Sequence, residues 1–186
     1  MPTPPEPDGG LVATGVRFTY PGEPAPVLVD VDVTVAAGRS LGVLGPNGAG
    51  KSTLLGVVTG TLAGEVGGLV TVGGDVAFPR TALGYAPQDI ALYELLTVEE
   101  NLRHVARLTL PRRQVADAVA QAVDDYGLDD IADRRVHRLS GGQRRVAHLA
   151  TAFVHRPPVR VLDEPTNALD FATRLRLVDL VGRWRA

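Results

Sequence analysis

The 186-residue chain has no cysteine, which rules out disulfides and thiolate-bound metal and suits the cytosol. It also lacks a long apolar run: no uninterrupted stretch approaches the roughly 18 residues of a membrane-spanning helix. Any link to a membrane is therefore expected to run through a partner. A basic excess is missing as well. Lys and Arg number 19 against 21 Asp and Glu, a formal charge of −2, whereas a domain devoted to nucleic acid ordinarily carries a positive surplus. The clusters Arg112-Arg113, Arg134-Arg135 with Arg138, and Arg144-Arg145 accordingly read as solvated helix faces. The opening MPTPPEPDGG has neither the charged nor the apolar region of a secretory signal, and its prolines predict a disordered tail over residues 1–10. Apolar residues make up 45% of the chain, enough to bury a core as one domain, with or without a small insertion.

Against these absences stands Gly45-Pro46-Asn47-Gly48-Ala49-Gly50-Lys51-Ser52, a complete G-x-x-x-x-G-K-[ST] loop. Residues 41–44 read as a strand and 52–58 as the start of a helix, so the loop lies where backbone N–H groups converge on an anion. Gly48 and Gly50 can take backbone angles that a Cβ forbids. Lys51 brings positive charge to β- and γ-phosphates, the Ser52 hydroxyl can ligate a metal, and Thr53 continues the helix. A nucleoside triphosphate with Mg²⁺ is the expected ligand. A second chemical element is Val159-Arg160-Val161-Leu162-Asp163-Glu164, a strand ending in carboxylates at the edge where nucleotides sit in open α/β sheets. Asp163 would serve the metal. Glu164, one residue on, points to the other side of the chain and could accept a proton from, or orient, an attacking water.

Patterning places these motifs. Short β-type runs at 12–20, 27–35 and 69–72, divided by Pro and Gly, predict an antiparallel β region beside a parallel core. Thr97-Val98-Glu99-Glu100 is a capping box, followed by Leu102, Val105 and Leu108 as one apolar helical face. Pro111 fits the first turn of the next helix, whose apolar face is Val115, Val119, Ala122 and Val123 and whose end is marked by Gly127. A third helix is predicted from Ser140, a strand at 159–162 and a last helix from about Ala172.

Leu139-Ser140-Gly141-Gly142-Gln143 then gives the chain its resemblance to the ATP-binding cassette (ABC) ATPases, for which LSGGQ is diagnostic. The likeness runs from Leu11 to the end, with the motifs in order: aromatic residue, Walker A, Gln loop, helical insert, LSGGQ, Walker B, Leu-Asp. It implies an α/β fold: a P-loop NTPase core with an antiparallel β subdomain and an inserted helical subdomain, its C-terminal strands missing. The expected division is core with Walker A and Gln loop over 11–90, helical subdomain over 91–138, and LSGGQ helix, Walker B and D-loop over 139–186. By the same likeness Tyr20 stacks on adenine, the alternative being a core tyrosine at a strand end. Gln88 reaches the metal and the attacking water, and it couples the site to the insert. Ser140, Gly141, Gly142 and Gln143 face the γ-phosphate held by another cassette, so a dimer with two sandwiched ATP molecules is implied. Ala168-Leu169-Asp170 resembles the D-loop at that interface.

Residues 91–102, ALYELLTVEENL, together with 148–152 and 155–158, resemble exporter ATPases of the drug-efflux type, which work beneath separate permease subunits on the inner face of the cell membrane. Nucleic acid is not an expected partner. The sequence departs from the family pattern at two places. Arg160 occupies a normally apolar Walker B position, costly in a central strand unless paired or able to reach the surface. The chain also stops inside the helix after Walker B, and none of His104, His137, His148 and His155 matches the family's γ-phosphate histidine. The expected activity is transport-coupled ATP hydrolysis. The alternative is a truncated cassette that binds ATP with little hydrolysis.

Overall fold

The computed structural model describes residues 10–76, 81–167 and 169–184, leaving aside the side chain of Ala172. Two compact units divide it, Met1–Leu83 and Gly84–Ala186. Of the expected tail, residues 1–9 lie outside the described residues, while Gly10 is buried and its carbonyl accepts a hydrogen bond from the Gly73 N–H at 2.8 Å.

In the first unit, β1 (Leu11–Thr19) is the middle strand of an antiparallel sheet between β2 (Leu28–Val35) and β3 (Glu65–Val72). The apolar alternation of β1 changes phase midway: Leu11 and Ala13 are buried, then Val16 and Phe18. A bulge between Thr14 and Arg17 makes the shift, since one extra residue moves the following side chains to the opposite face. Gly15 takes a φ of +59° there, and its N–H donates to Asp32 Oδ1 at 2.7 Å. Helix α1 (Lys51–Val58) packs on β1, burying Leu54, Val57 and Val58.

The predicted strand at 41–44 is not formed. Among the described residues it has no ladder partner, and Leu44 is 94% exposed. β-Propensity yields a strand only where a neighbour offers backbone groups, and the sheet of this unit is made by β2, β1 and β3 without it.

In the second unit, β4 (Leu83–Ala86) pairs with β5 (Val159–Leu162). Helix α2 (Val98–Thr109) opens with the predicted capping box: Thr97 Oγ1 accepts from Glu100 N at 3.1 Å, and Thr97 N donates to Glu100 Oε2 at 2.8 Å. Its buried face is Val98, Leu102 and Ala106 rather than 102, 105 and 108, and Leu108 is 64% exposed. Steps of three residues drift about 60° each, so residue 108 lies about 120° around from residue 102. Asn101 is buried and pins the preceding turn, donating to the Tyr93 and Thr97 carbonyls at 3.1 and 2.8 Å and accepting from Tyr93 N at 2.8 Å.

Helix α3 (Val115–Tyr126) buries Val115, Val119 and Ala122 and ends at Gly127 with a φ of +60°, a left-handed cap that glycine adopts without penalty. Helix α4 (Gly141–Ala152) adds Ala147 and Ala150 to the same core. On its other side, Leu149 with Phe153 meets Leu177 and Leu180 of α5 (Phe171–Arg183). Arg160 on β5 stands with its guanidinium carbon 5.0 Å from the centroid of the Trp184 ring. Burial lowers its pKa; the aromatic face offsets part of that cost.

His148 on α4 is 2% exposed and its Nδ1 has no hydrogen-bond partner among the described residues. Burial, and then the positive charge of Arg145, push its pKa down from 6.5 to about 4. The neutral ring therefore contributes stability that is complete above pH 6.5 and lost as pH falls through about 4. Unfolding followed by denaturant at pH 7 and pH 4 should show ~3 kcal/mol more acid destabilisation in the native chain than in His148→Leu. Equal losses in the two proteins would contradict this.

Candidate functional site

The loop before α1 has the backbone shape that an anion needs. Gly48 and Gly50 take φ of +79° and +86°, left-handed values that strain any residue with a Cβ. At Gly50 space also matters, since a Cβ would stand 3.1 Å from Leu28 Cδ2. A Cβ on Gly45 would point across the loop to within 3.4 Å of the Ala49 methyl. Lys51 folds back over the loop, its Nζ donating to the Gly45 and Pro46 carbonyls at 2.9 and 2.8 Å. Asn47 and Ser52 are exposed. Gly50 is the N-cap residue of α1 and brings no side-chain cap, nor is there an acidic residue in the first turn. The N–H groups that open this helix are thus left for an incoming acceptor. The loop fits a polyphosphate, and the exposed Ser52 hydroxyl is available to a metal that accompanies it.

Tyr20 belongs to the same unit. Tyr20-Pro21-Gly22-Glu23 is a turn closed by Glu23 N donating to the Tyr20 carbonyl at 3.1 Å, with Gly22 at φ +83°, the pattern of a type II turn with Pro and Gly in their favoured places. The ring is partly exposed, stands edge-on to Phe18 at 4.8 Å, and its hydroxyl is 3.0 Å from Thr53 Oγ1 in α1. Thr53 is buried. It thus does more than continue the helix: it ties the aromatic residue to the phosphate-loop helix.

The second unit holds the other candidates. Asp163, 6% exposed, follows β5, and its N–H donates to the Ala86 carbonyl of β4 at 3.0 Å. Its charge, after burial, raises the pKa of Tyr85. Glu164 is exposed and sits at φ +45°, with Asn167 Nδ2 donating to its Oε2 at 3.2 Å. The two adjacent carboxylates thus differ in environment, Asp163 buried and Glu164 exposed. Gln88 is exposed two residues past β4. Ser140 caps α4 in a second capping box: its Oγ accepts from Gln143 N at 3.2 Å, and its N–H donates to Gln143 Oε1 at 3.0 Å. That leaves the Gly141 and Gly142 N–H groups with no partner inside the helix, while the Ser140 O–H can still donate.

Known proteins carry related sequences. The chain matches the ABC transporter family over residues 28–167. It belongs to that family. Among relatives, it is 39% identical to the zinc import ATP-binding protein ZnuC of Ruegeria pomeroyi, over 86% of this chain and 58% of that one. Identity is 36% to the taurine import ATP-binding protein TauB of Roseobacter denitrificans (89% and 63%), and 34% to the doxorubicin resistance ATP-binding protein DrrA of Mycobacterium tuberculosis (96% and 55%). The chain spans 51 to 66% of the length of such curated relatives.

Two residues, Arg145 and Thr173, take parts that the sequence did not indicate. Arg145 is buried, not solvated as its cluster suggested, and forks onto the carbonyls of Pro87 and Gln88. Its neighbours in the clusters at 112–113, 134–135 and 138 are exposed, as expected. Thr173 closes against Gly142, where a Cβ would come within 2.6 Å of its Oγ1. Asp170 of the expected D-loop caps α5, accepting from Thr173 N and Oγ1 at 2.9 and 2.8 Å; Ala168 of that loop lies outside the described residues. Among the described residues no helix is long and apolar enough to cross a membrane.

The Tyr20 geometry separates ring from hydroxyl. Tyr20→Phe should cost about 1 kcal/mol of stability through the lost Thr53 bond and leave ATP affinity within about twofold. Tyr20→Ala should weaken ATP binding about tenfold by removing the aromatic face. Denaturant unfolding and titration with a fluorescent ATP analogue measure the two effects, and equal affinity in all three proteins would make Tyr20 a core residue only.

Proposed function

We propose that this chain is the ATP-binding and ATP-hydrolysing subunit of an ABC transporter of the drug-efflux exporter type, with Mg²⁺ accompanying the nucleotide. The observation that carries the reading is the phosphate loop: two left-handed glycines, a lysine folded over the loop, and a helix that opens without a side-chain cap. Tyr20 takes the adenine, the stretch from Gly45 to Thr53 the phosphates, and Ser52, Gln88 and Asp163 the metal, whose charge offsets that of the phosphates. Glu164 orients the attacking water or takes its proton, and its exposure beside a buried Asp163 supports that division.

Ser140 to Gln143 serve the γ-phosphate bound to a second cassette. The N–H groups of Gly141 and Gly142, which have no partner inside the helix, with the positive end of α4 behind them, are what such a contact requires. In this reading residues 11–90 and 139–186 form the core and 91–138 the helical subdomain that meets separate permease subunits at the inner face of the membrane. The exporter type is supported by the 91–102 segment and by the resistance protein among the relatives; the import proteins share the ATP-binding part.

Lys51→Ala should weaken Mg-ATP binding by about 10- to 100-fold, the worth of a charge-assisted contact to phosphate. Unchanged affinity in that variant, measured by fluorescent-analogue titration, would remove the phosphate loop from the nucleotide site. Ser140→Arg should bind ATP normally yet lose turnover, and native activity should rise faster than linearly with protein concentration while dimers are scarce. Strictly linear activity from a verified monomer would end the two-cassette reading.

A further inference from the structure

Arg145 lies in α4 two residues beyond Gln143 and is only 7% exposed. Its Nη2 donates to the Gln88 carbonyl at 2.8 Å and its Nη1 to the Pro87 carbonyl at 3.4 Å, while its Nε has no hydrogen-bond partner among the described residues. Nor does it form an ion pair there; Asp89 acts on it only through space, against the burial that lowers its pKa. A buried guanidinium is costly unless its donors are used. Here two terminal N–H groups meet the carbonyls of two successive peptide units, one on each side of the Gln88 Cα, so the side chain is committed to this segment and to no carboxylate.

From this geometry we propose that Arg145 is a positioning residue that clamps the Gln-loop backbone at Pro87 and Gln88 to the helix opened by Ser140. The proposal rests on the reading of Gln88 and of Ser140 to Gln143 given above, and it adds a physical link between them. If Gln88 shifts toward a nucleotide, the start of α4 must shift with it or the fork must break. Lysine is a poor substitute, since one ammonium at the end of a flexible stem does not hold two carbonyls in a fixed plane as a guanidinium does. The tether acts on main-chain oxygens, so it survives any change of side chain at residue 88.

The test uses the full chain with Arg145→Lys, Arg145→Gln and Arg145→Met, read by amide hydrogen exchange. In Gln and Met variants, protection over residues 85–92 and 139–146 should fall together by tenfold or more. Protection over 98–109 and 115–126 should stay unchanged, and Mg-ATP affinity should stay within threefold. Arg145→Lys should fall between these variants and the native chain, and it gives the same reading if the Met variant fails to fold. Unchanged protection in either segment would overturn the proposal, as would equal loss in the other helices, which would make Arg145 general packing. Where the native chain hydrolyses ATP, Arg145→Met should lower single-turnover rate about tenfold alone and less than twofold in a Gln88→Ala background; additive losses would show that it does not act through Gln88. A chain that fails to bind ATP yet shows the paired exchange effect would sink the nucleotide reading and leave the clamp standing.

Discussion

Every helix begins with N–H groups that the helix cannot satisfy, and the helices of this chain meet them to different extents. Thr97 and Glu100 close α2, and Asp170 receives Thr173 N at the start of α5. At α2 the next two donors are met as well, Val98 N–H by the Arg134 carbonyl at 3.2 Å and Glu99 N–H by the Ala132 carbonyl at 3.0 Å, so that start is complete. At α4, Ser140 and Gln143 take one N–H each from their own box, and two glycine N–H groups are left between them. At α1 no side chain serves, because Gly50 stands at the N-cap. Both glycine-rich motifs thus stand at starts that the helix's own side chains leave incomplete. Leaving donors open is sustainable where water reaches them, and the Asn47 and Ser52 side of the loop is exposed.

Backbone shape follows the same division. Gly142 is needed for packing, because a Cβ would strike Thr173, whereas Gly48 has open space around it and is needed for its φ of +79° alone. The same conformation falls on Glu164, which has no glycine's licence for a φ of +45°. Such a cost persists when neighbours fix it, and Asn167 does so twice, through its N–H to the Glu164 carbonyl and its Nδ2 to the carboxylate. The turn separates Glu164 from buried Asp163, so that two adjacent carboxylates occupy different environments.

What the sequence disclosed is what local chemistry decides. The capping box at Thr97, the end of α3 at Gly127 and the bounds of β5 follow from residues within a few positions of one another. What it concealed depends on partners distant in the chain. A strand at 41–44 needed a neighbour that the first sheet does not supply. The burial of Arg145 depends on a contact with residues 57 and 58 positions away, and nothing in an Arg-Arg pair distinguishes a tether from a solvated face. Two local signals do point beyond their own neighbourhood. An asparagine at position 101, flanked by the apolar face of α2, calls for partners, and the break in alternation at Thr14-Gly15 announces the bulge.

The Lys51 geometry shows how the loop holds its shape before any phosphate arrives. An ammonium has three donors, and two are spent on the Gly45 and Pro46 carbonyls. Those contacts join the beginning of the loop to the first residue of α1, across a segment whose own backbone closure among the described residues includes the Ala49 N–H to Pro46 carbonyl bond at 3.3 Å. The third donor and the charge remain for a ligand. An incoming phosphate therefore need not compete for the whole of the lysine, nor must the loop be ordered at the moment of binding. That entropy is already spent in folding, and ordering a chain segment costs about 1–2 kcal/mol per residue. A lysine thus serves here first as a strut and then as a counter-charge, and the two uses are compatible because they draw on different protons.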